Sequence, residues 1–271
     1  MADHIPFLRS GRRAVLLGGL TLAAGSAAGQ TPPKMSVAAA PVSRMETGWW
    51  RARHEEKLAR LRQGAVDLAW YGDSITQDWE RDGPEEWARF APVWERFYGD
   101  RRAVNLGFKG DNTGHLLWRI RNGEAEGIRP KAAVVLIGAN NFGRVHWNAP
   151  QTVNGIGAVV QALRERLAGT KLLLLGVLPS DRSSYVSRTT NEVNRTLAAQ
   201  YGGGVVPDVT YLDVGGLFLK AGLPDRSQFY DPLLTPPEPA LHPTAQAQAK
   251  LAAAIEPTLA GLMGDRRHGA A

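Results

Sequence analysis

The chain has 271 residues, 44% of them apolar, and no cysteine, which excludes disulfides, a thiolate nucleophile and cysteine-built zinc sites. Its net charge of +6 is scattered rather than gathered into a patch or stripe, so a nucleic-acid-binding face is not expected. The length fits one large domain.

In chain order, Arg9, Arg12 and Arg13 precede a short apolar run from Ala14 to Ala24 and then the small residues Gly25 to Ala28. That pattern predicts a secretory signal over residues 1–28, too short to span a bilayer, and the Arg12-Arg13 pair suggests the twin-arginine route. The mature chain is therefore expected to be secreted or periplasmic, with no transmembrane segment. Residues 29–48 are rich in Pro and Ala and read as a flexible linker, residues 49–264 as the folded domain, and 265–271 as a polar tail. Trp50, His54, Leu58 and Leu61 recur at helical spacing up to Gly64.

Five apolar runs then read as buried strands: Val66 to Tyr71, Ala103 to Leu106, Ala133 to Ile137, Lys171 to Leu178 and Val209 to Val214. Helical spacing returns at Trp87, Phe90, Trp94 and Phe97, at Ile156 to Leu167, and at Leu251 to Leu262. Strands alternating with helices predict an α/β fold with a parallel sheet covered on both faces. Ligands of such sheets sit beyond the carboxyl ends of the strands.

The first three strand ends deliver Gly72-Asp73-Ser74, then Gly107 to Asn112, then Gly138-Ala139-Asn140. A hydroxyl, a glycine turn and a side-chain amide on one rim suit acyl transfer, which needs an oxygen nucleophile and donors aimed at a developing oxyanion. A serine needs a base. His4 lies in the leader, His54 on the first helix and His268 in the tail, while His115 reads as a packing or hydrogen-bonding residue and His146 as a possible pocket residue. His242, between Leu241 and Pro243-Thr244 before the last helix, is the remaining choice. There is no Gly-x-Ser-x-Gly elbow, no phosphate-loop Gly-Lys-Ser/Thr and no His-Glu-x-x-His, so no metal and no cofactor are expected.

Gly72-Asp73-Ser74, Gly110-Asp111, Gly138-Ala139-Asn140 and the late Leu241-His242-Pro243-Thr244 together resemble the four ordered blocks of the SGNH (GDSL-type) hydrolases, from about Val66 to Ile255. Within that family, Asn105 to Ile120 and Leu175 to Pro179 are most similar to the catalytic subunits of brain-type platelet-activating-factor acetylhydrolase. The resemblance implies a flavodoxin-like three-layer fold with a five-stranded parallel sheet. It implies Ser74 as nucleophile, His242 as base, and an oxyanion hole from the N–H groups of Ser74 and Gly110 with the Asn140 amide.

The family pattern has an aspartate three residues before the histidine, where this chain has Pro239. Phe229-Tyr230-Asp231 looks like the displaced aspartate segment, with extra residues from about Leu234 to Ala240 looping out. Asp231 is favoured as the histidine's partner, and Glu238 competes. Trp79, Phe142 and Trp147 are candidate walls of the pocket, with a place in the core as the alternative. The expected activity is hydrolysis of short-chain, foremost acetyl, esters through an acyl-enzyme. The substrate would be a small-molecule, lipid or carbohydrate ester. A polysaccharide O-acetylesterase and a catalytically inactive carbohydrate-binding relative are the alternatives.

Overall fold

A computed structural model of the chain describes residues 1–2 and 36–269. The predicted leader lies outside the described residues except for its first two, and the described helices and strands belong to the unit beginning at Met35.

Helix α1 (Gly48–Arg62) leads into strand β1 (Leu68–Gly72) and the short helix α2 (Ser74–Gln77). Helix α3 (Ala91–Tyr98), strand β2 (Ala103–Gly107), helix α4 (Thr113–Arg119) and strand β3 (Ala132–Leu136) come next. Helices α5 (Ala139–Gly143) and α6 (Ala149–Arg166), strand β4 (Lys171–Leu175), helix α7 (Ser184–Tyr201) and strand β5 (Val209–Leu212) complete the alternation. A two-stranded antiparallel ribbon, β6 (Leu219–Lys220) with β7 (Leu223–Pro224), precedes the last helix, α8 (Ala245–Met263).

The five main strands are all parallel, in the order β2-β1-β3-β4-β5, which is the expected flavodoxin-like sheet. Period-2 side-chain alternation feeds two cores. Ala69, Tyr71, Val104, Leu106, Val135 and Leu174 pack with residues of α4, α6 and α7 on one face. Leu68, Trp70, Val134, Leu136, Leu173 and Leu175 pack with α3 and α8 on the other. Being buried on both faces, such strands read as the continuous apolar runs seen in the sequence.

Three expectations change. The spacing from Trp87 to Phe97 is not one helix: a 3-10 turn at Glu86–Ala88 is followed by non-helical Arg89, and α3 starts at Ala91. Pro92 has no N–H to donate back to Ala88, so a helix can begin beside it but cannot run through it. The linker is not loose over residues 36–48. Ala38 is fully buried, its carbonyl accepts from Thr113 Oγ1 at 2.8 Å, and Arg44 binds Asp111. The tail is likewise docked up to 269. Arg101 holds Asp265 at 2.9 Å, and the His268 N–H donates to Glu256 at 2.7 Å.

The register places Gly72 opposite Gly107 on one side and Leu136 on the other, so three carboxyl ends lie abreast. Both glycines are required by close approach. A Cβ on Gly72 would lie 2.1 Å from Thr76 Oγ1, and one on Gly107 would lie 2.2 Å from the Gln77 nitrogen. The strand ends are thus bare enough for α2 to sit directly over them, with Ser74 as its first residue.

Candidate active site

Asp73 caps α2, its Oδ1 accepting from the Ile75 N–H at 3.0 Å, and this orients the first turn that carries Ser74. Ser74 Oγ lies 2.9 Å from His242 Nε2, and His242 Nδ1 lies 2.6 Å from Asp231 Oδ1. Asp231 Oδ2 also accepts from the backbone N–H groups of His242 at 2.6 Å and Leu241 at 2.9 Å. Burial raises the pKa of Asp231, but these bonds and the field of His242 outweigh it, and the carboxyl is held below its usual value.

The sequence separation between Asp231 and His242 is bridged by backbone pairing. The Tyr230 N–H donates to the His242 carbonyl at 3.0 Å, and the Thr244 N–H donates to Gln228 at 2.9 Å. Residues between these paired segments loop out, as expected, and are tied down where the Ala240 N–H donates to Asp181 at 2.6 Å. Glu238 is on that loop with its side chain exposed. Its N–H donates to the Asp231 carbonyl, and the structure brings Asp231, not Glu238, to the imidazole.

On the other side of Ser74, Gly110 adopts φ +77°, a left-handed conformation that suits glycine, and its N–H donates to no acceptor among the described residues. The Ser74 N–H lies in the first turn of α2, where no intrahelical acceptor exists. Asn140, buried at the start of α5, donates from Nδ2 to the Asp111 carbonyl at 2.9 Å, which leaves its second amide hydrogen available. Asp111 is itself fixed by Arg119 Nε at 2.8 Å, Trp50 Nε1 at 2.8 Å and Arg44 Nη1 at 2.9 Å.

A cavity of about 380 Å³ reaches the nucleophile and is lined by Ser74, Gln77, Asp78, Arg81, Tyr230 and His242. The aromatic wall differs from expectation. Trp79 is in the core against Trp70, Trp94 and Tyr98, and Phe142 is buried in the opposite core layer. Trp147 is half-buried beyond α5, with its carbonyl bound by the Tyr185 hydroxyl, and it does not line this cavity. Large rings next to strand ends gain more by filling the layers beneath the sheet's rim than by facing water. The aromatic residue that does reach the site is Tyr230, whose signal was its place beside Asp231.

The other histidines are engaged elsewhere. His54 is buried against Glu124 at 2.9 Å. His115 forms a capping box with Asn112, and burial with the field of Arg44 pushes its pKa down to about 4. His146 is exposed, and His268 faces Asp100 at 3.0 Å. Among the described residues no three His, Asp or Glu side chains gather in a way that could hold a metal.

At the carboxyl edge of this sheet Asp231, His242 and Ser74 are hydrogen-bonded in series, the orienter, base and nucleophile geometry that recurs in acyl-transfer hydrolases on unrelated folds. Residues 70–250 match the model of the GDSL-like Lipase/Acylhydrolase family, and the chain belongs to that family of ester-cleaving hydrolases. It is 32% identical to platelet-activating factor acetylhydrolase IB subunit alpha1 of Homo sapiens over 223 residues, covering 78% of this chain and 90% of that protein. The alpha2 subunit of Gallus gallus is 31% identical over 173 residues, 64% of this chain and 69% of that protein. Among solved structures, a carbohydrate esterase family 3 protein from Talaromyces cellulolyticus superposes with TM-score 0.56 at 18% identity, covering 74% of this chain and 99% of that one. A carbohydrate acetylesterase from Sinorhizobium meliloti superposes with TM-score 0.52 at 16% identity, covering 73% and 99%.

Proposed function

We propose that this chain is a serine esterase that removes short acyl groups, acetyl foremost, in two steps through an acyl-enzyme on Ser74. The observation that carries this reading is the unbroken line from Asp231 to His242 to Ser74, at 2.6 and 2.9 Å. His242 Nε2 takes the Ser74 proton as Oγ attacks the ester carbonyl, and returns it to the leaving alcohol. Asp231 fixes the Nδ1–H tautomer and stabilises the imidazolium that forms. The oxyanion is received by the N–H groups of Ser74 and Gly110 and by the free hydrogen of Asn140 Nδ2. Water, activated by the same His242, then releases the acid.

The physiological ester is a second choice within this reading. Relatives named as platelet-activating factor acetylhydrolase subunits and a structural neighbour named as a carbohydrate acetylesterase both point to acetyl esters, with an acetylated polysaccharide as the alternative to a small or lipid ester. An inactive binding relative is disfavoured by the intact hydrogen bonds of Ser74 and His242. A fluorophosphonate probe should label the wild-type protein on Ser74, and Ser74→Ala should lose labelling and all but about a thousandth of turnover. Labelling that persists in the folded Ser74→Ala protein would refute the assignment. Acetyl, butyryl and longer nitrophenyl esters assayed beside acetylated sugars would rank the substrates.

A further inference from the structure

We propose that Arg144 and Arg182 form an anion-binding subsite beside the oxyanion donors, so that the ester cleaved here carries a carboxylate or phosphate on its alcohol portion. This rests on the esterase reading above. It comes from two guanidinium groups on the Asn140 side of the site that have no ion-pair partner within 4 Å among the described residues.

Arg182 leaves the loop after β4 and donates from Nη2 to the Ala139 carbonyl at 2.9 Å and from Nε to Ser180 Oγ at 3.1 Å. Its guanidinium lies flat over Gly143, where a Cβ would come 2.2 Å from Nη1 and 2.3 Å from Cζ. Arg144, the next residue, reaches toward Gly110 instead, and a Cβ there would lie 2.7 Å from its Nη1. Each glycine therefore makes room for one guanidinium. Neither arginine has an ion-pair partner within 4 Å among the described residues.

The nearest negative charges are committed or absent. Asp231 is engaged by His242 Nδ1 and two N–H groups. Asp73 is pushed up to about 7 by burial, so its charge is incomplete at neutral pH. Burial and the positive field of Arg144 lower the pKa of Arg182, with Asp73 and Asp231 opposing. A third guanidinium, Arg44, stands 3.5 Å from the same Gly110 position but is satisfied by Asp111 at 2.9 Å and the Lys109 carbonyl at 3.1 Å. Across the nucleophile the arginines are paired: Arg81 is 3.7 Å from Asp78, and Arg53 shares Glu80 with Lys57. Lys109 there feels Asp78 through its field alone.

Arg182 is half-buried and Arg144 exposed beside it; the two like charges repel, and a bound oxyanion removes that repulsion. The planar fork of arginine suits carboxylate and phosphate oxygens. The Arg144 N–H donates to the Asn140 carbonyl at 3.2 Å, so the subsite adjoins the residue proposed to hold the reacting oxygen. An acetyl group has no place for a charge, which puts the anion on the alcohol.

The test compares 4-acetoxybenzoate and 4-acetoxyphenyl phosphate with the neutral methyl 4-acetoxybenzoate at pH 8. The wild-type enzyme should prefer at least one of the anionic esters in kcat/KM, and which one distinguishes carboxylate from phosphate. Arg144→Gln and Arg182→Gln should each lower that preference, the ratio of anionic to neutral kcat/KM, by about tenfold or more. Arg144→Lys should restore part of it through charge without the fork. A wild-type enzyme that favours the neutral ester overturns the subsite, as does a preference that survives Arg144→Gln, an exposed position where misfolding is not expected. If none of the three esters is cleaved and no fluorophosphonate label forms, the esterase reading itself fails. Cleavage of the neutral ester without discrimination removes only the anion subsite.

Discussion

The ring of Tyr230 lies nearly parallel to the His242 imidazole, with centroids 5.3 Å apart and planes 12° from parallel, while its hydroxyl donates to Asp78 Oδ2 at 2.8 Å. Trp87 stacks on Tyr230 in turn, 5.1 Å away, so the phenol is clamped in place. When His242 takes the nucleophile's proton it becomes a cation against an aromatic face, an interaction of about 1–2 kcal/mol once desolvated. Tyr230→Leu should therefore lower kcat by about tenfold. Tyr230→Phe keeps the face and should stay within about threefold, while losing about 1–2 kcal/mol of stability because Asp78 loses a buried donor. Steady-state kinetics and thermal melts of the pair separate the two effects, and equal kcat losses in both would exclude a role for the ring face.

Asp231 and Glu238 offer a second comparison, because the chain places both carboxylates just before His242 and only Asp231 meets Nδ1. Asp231→Asn keeps the shape but loses the charge and one acceptor, so kcat should fall by about 10²-fold or more. Glu238→Gln, on an exposed loop, should cost less than about threefold. Two near-silent variants would reduce the machinery to a Ser74 and His242 dyad.

The parallel sheet was legible because strands buried on both faces leave unbroken apolar runs, and the placement of Ser74, Gly110 and Asn140 on one rim because such a sheet gathers residues at its strand ends, while their roles came from the family resemblance. Helix α7 was not read. Its buried face is Val186, Thr189, Thr190, Val193, Asn194 and Leu197, so half of the stripe is polar and hides from an apolar count. Trp79 and Phe142 misled because burial depends on packing between layers, which local spacing does not carry. The docking of residues 36–48 escaped for a similar reason. Its anchors, Ala38 to Thr113 and Arg44 to Asp111, are long-range contacts within a Pro- and Ala-rich stretch. Arg144 and Arg182 had no local signature, since what marks them is that neither has an ion-pair partner within 4 Å among the described residues.

Asp73 gives a pH signature. Burial pushes its carboxyl from the usual 3.8 up to about 7, so between those values the folded chain holds a proton that the unfolded chain releases. The sign follows: stability from the neutral form is complete below pH 3.8 and is lost as pH rises toward about 7. Asp73→Asn removes the titration while its Oδ1 can still accept from the Ile75 N–H. The variant's melting temperature should gain on the wild type between pH 4.5 and 8.5 by about 5–10 °C, equivalent to about 2–4 kcal/mol. A difference that does not change with pH would mean that Asp73 is ionised throughout.

Arg119 is fully buried and joins the oxyanion loop to the core, donating to Asp111 Oδ2 at 2.8 Å, to the carbonyls of Leu106 and Gly72 at 3.1 Å each, and to Glu124. Both carboxylates are buried, and each has further partners: Trp50 and Arg44 for Asp111, and His54 for Glu124. Arg119→Met removes the cation that the two acids share and leaves two strand-end carbonyls without this donor. Breaking a buried pair on one side costs about 3–5 kcal/mol, and in a domain of this size that corresponds to a melting temperature lower by about 10 °C. Arg44→Met removes a partly exposed donor shared by Asp111 and the Lys109 carbonyl, and the Asp111 oxygen keeps the Trp50 bond, so a loss of about 1 kcal/mol or less is expected. Thermal melts of the two variants should rank in that order. The reverse ranking would mean that Asp111 is held chiefly by the segment before α1, and that the docked residues 36–48, not the core arginine, set the position of Gly110 and of the Asp111 carbonyl that holds Asn140.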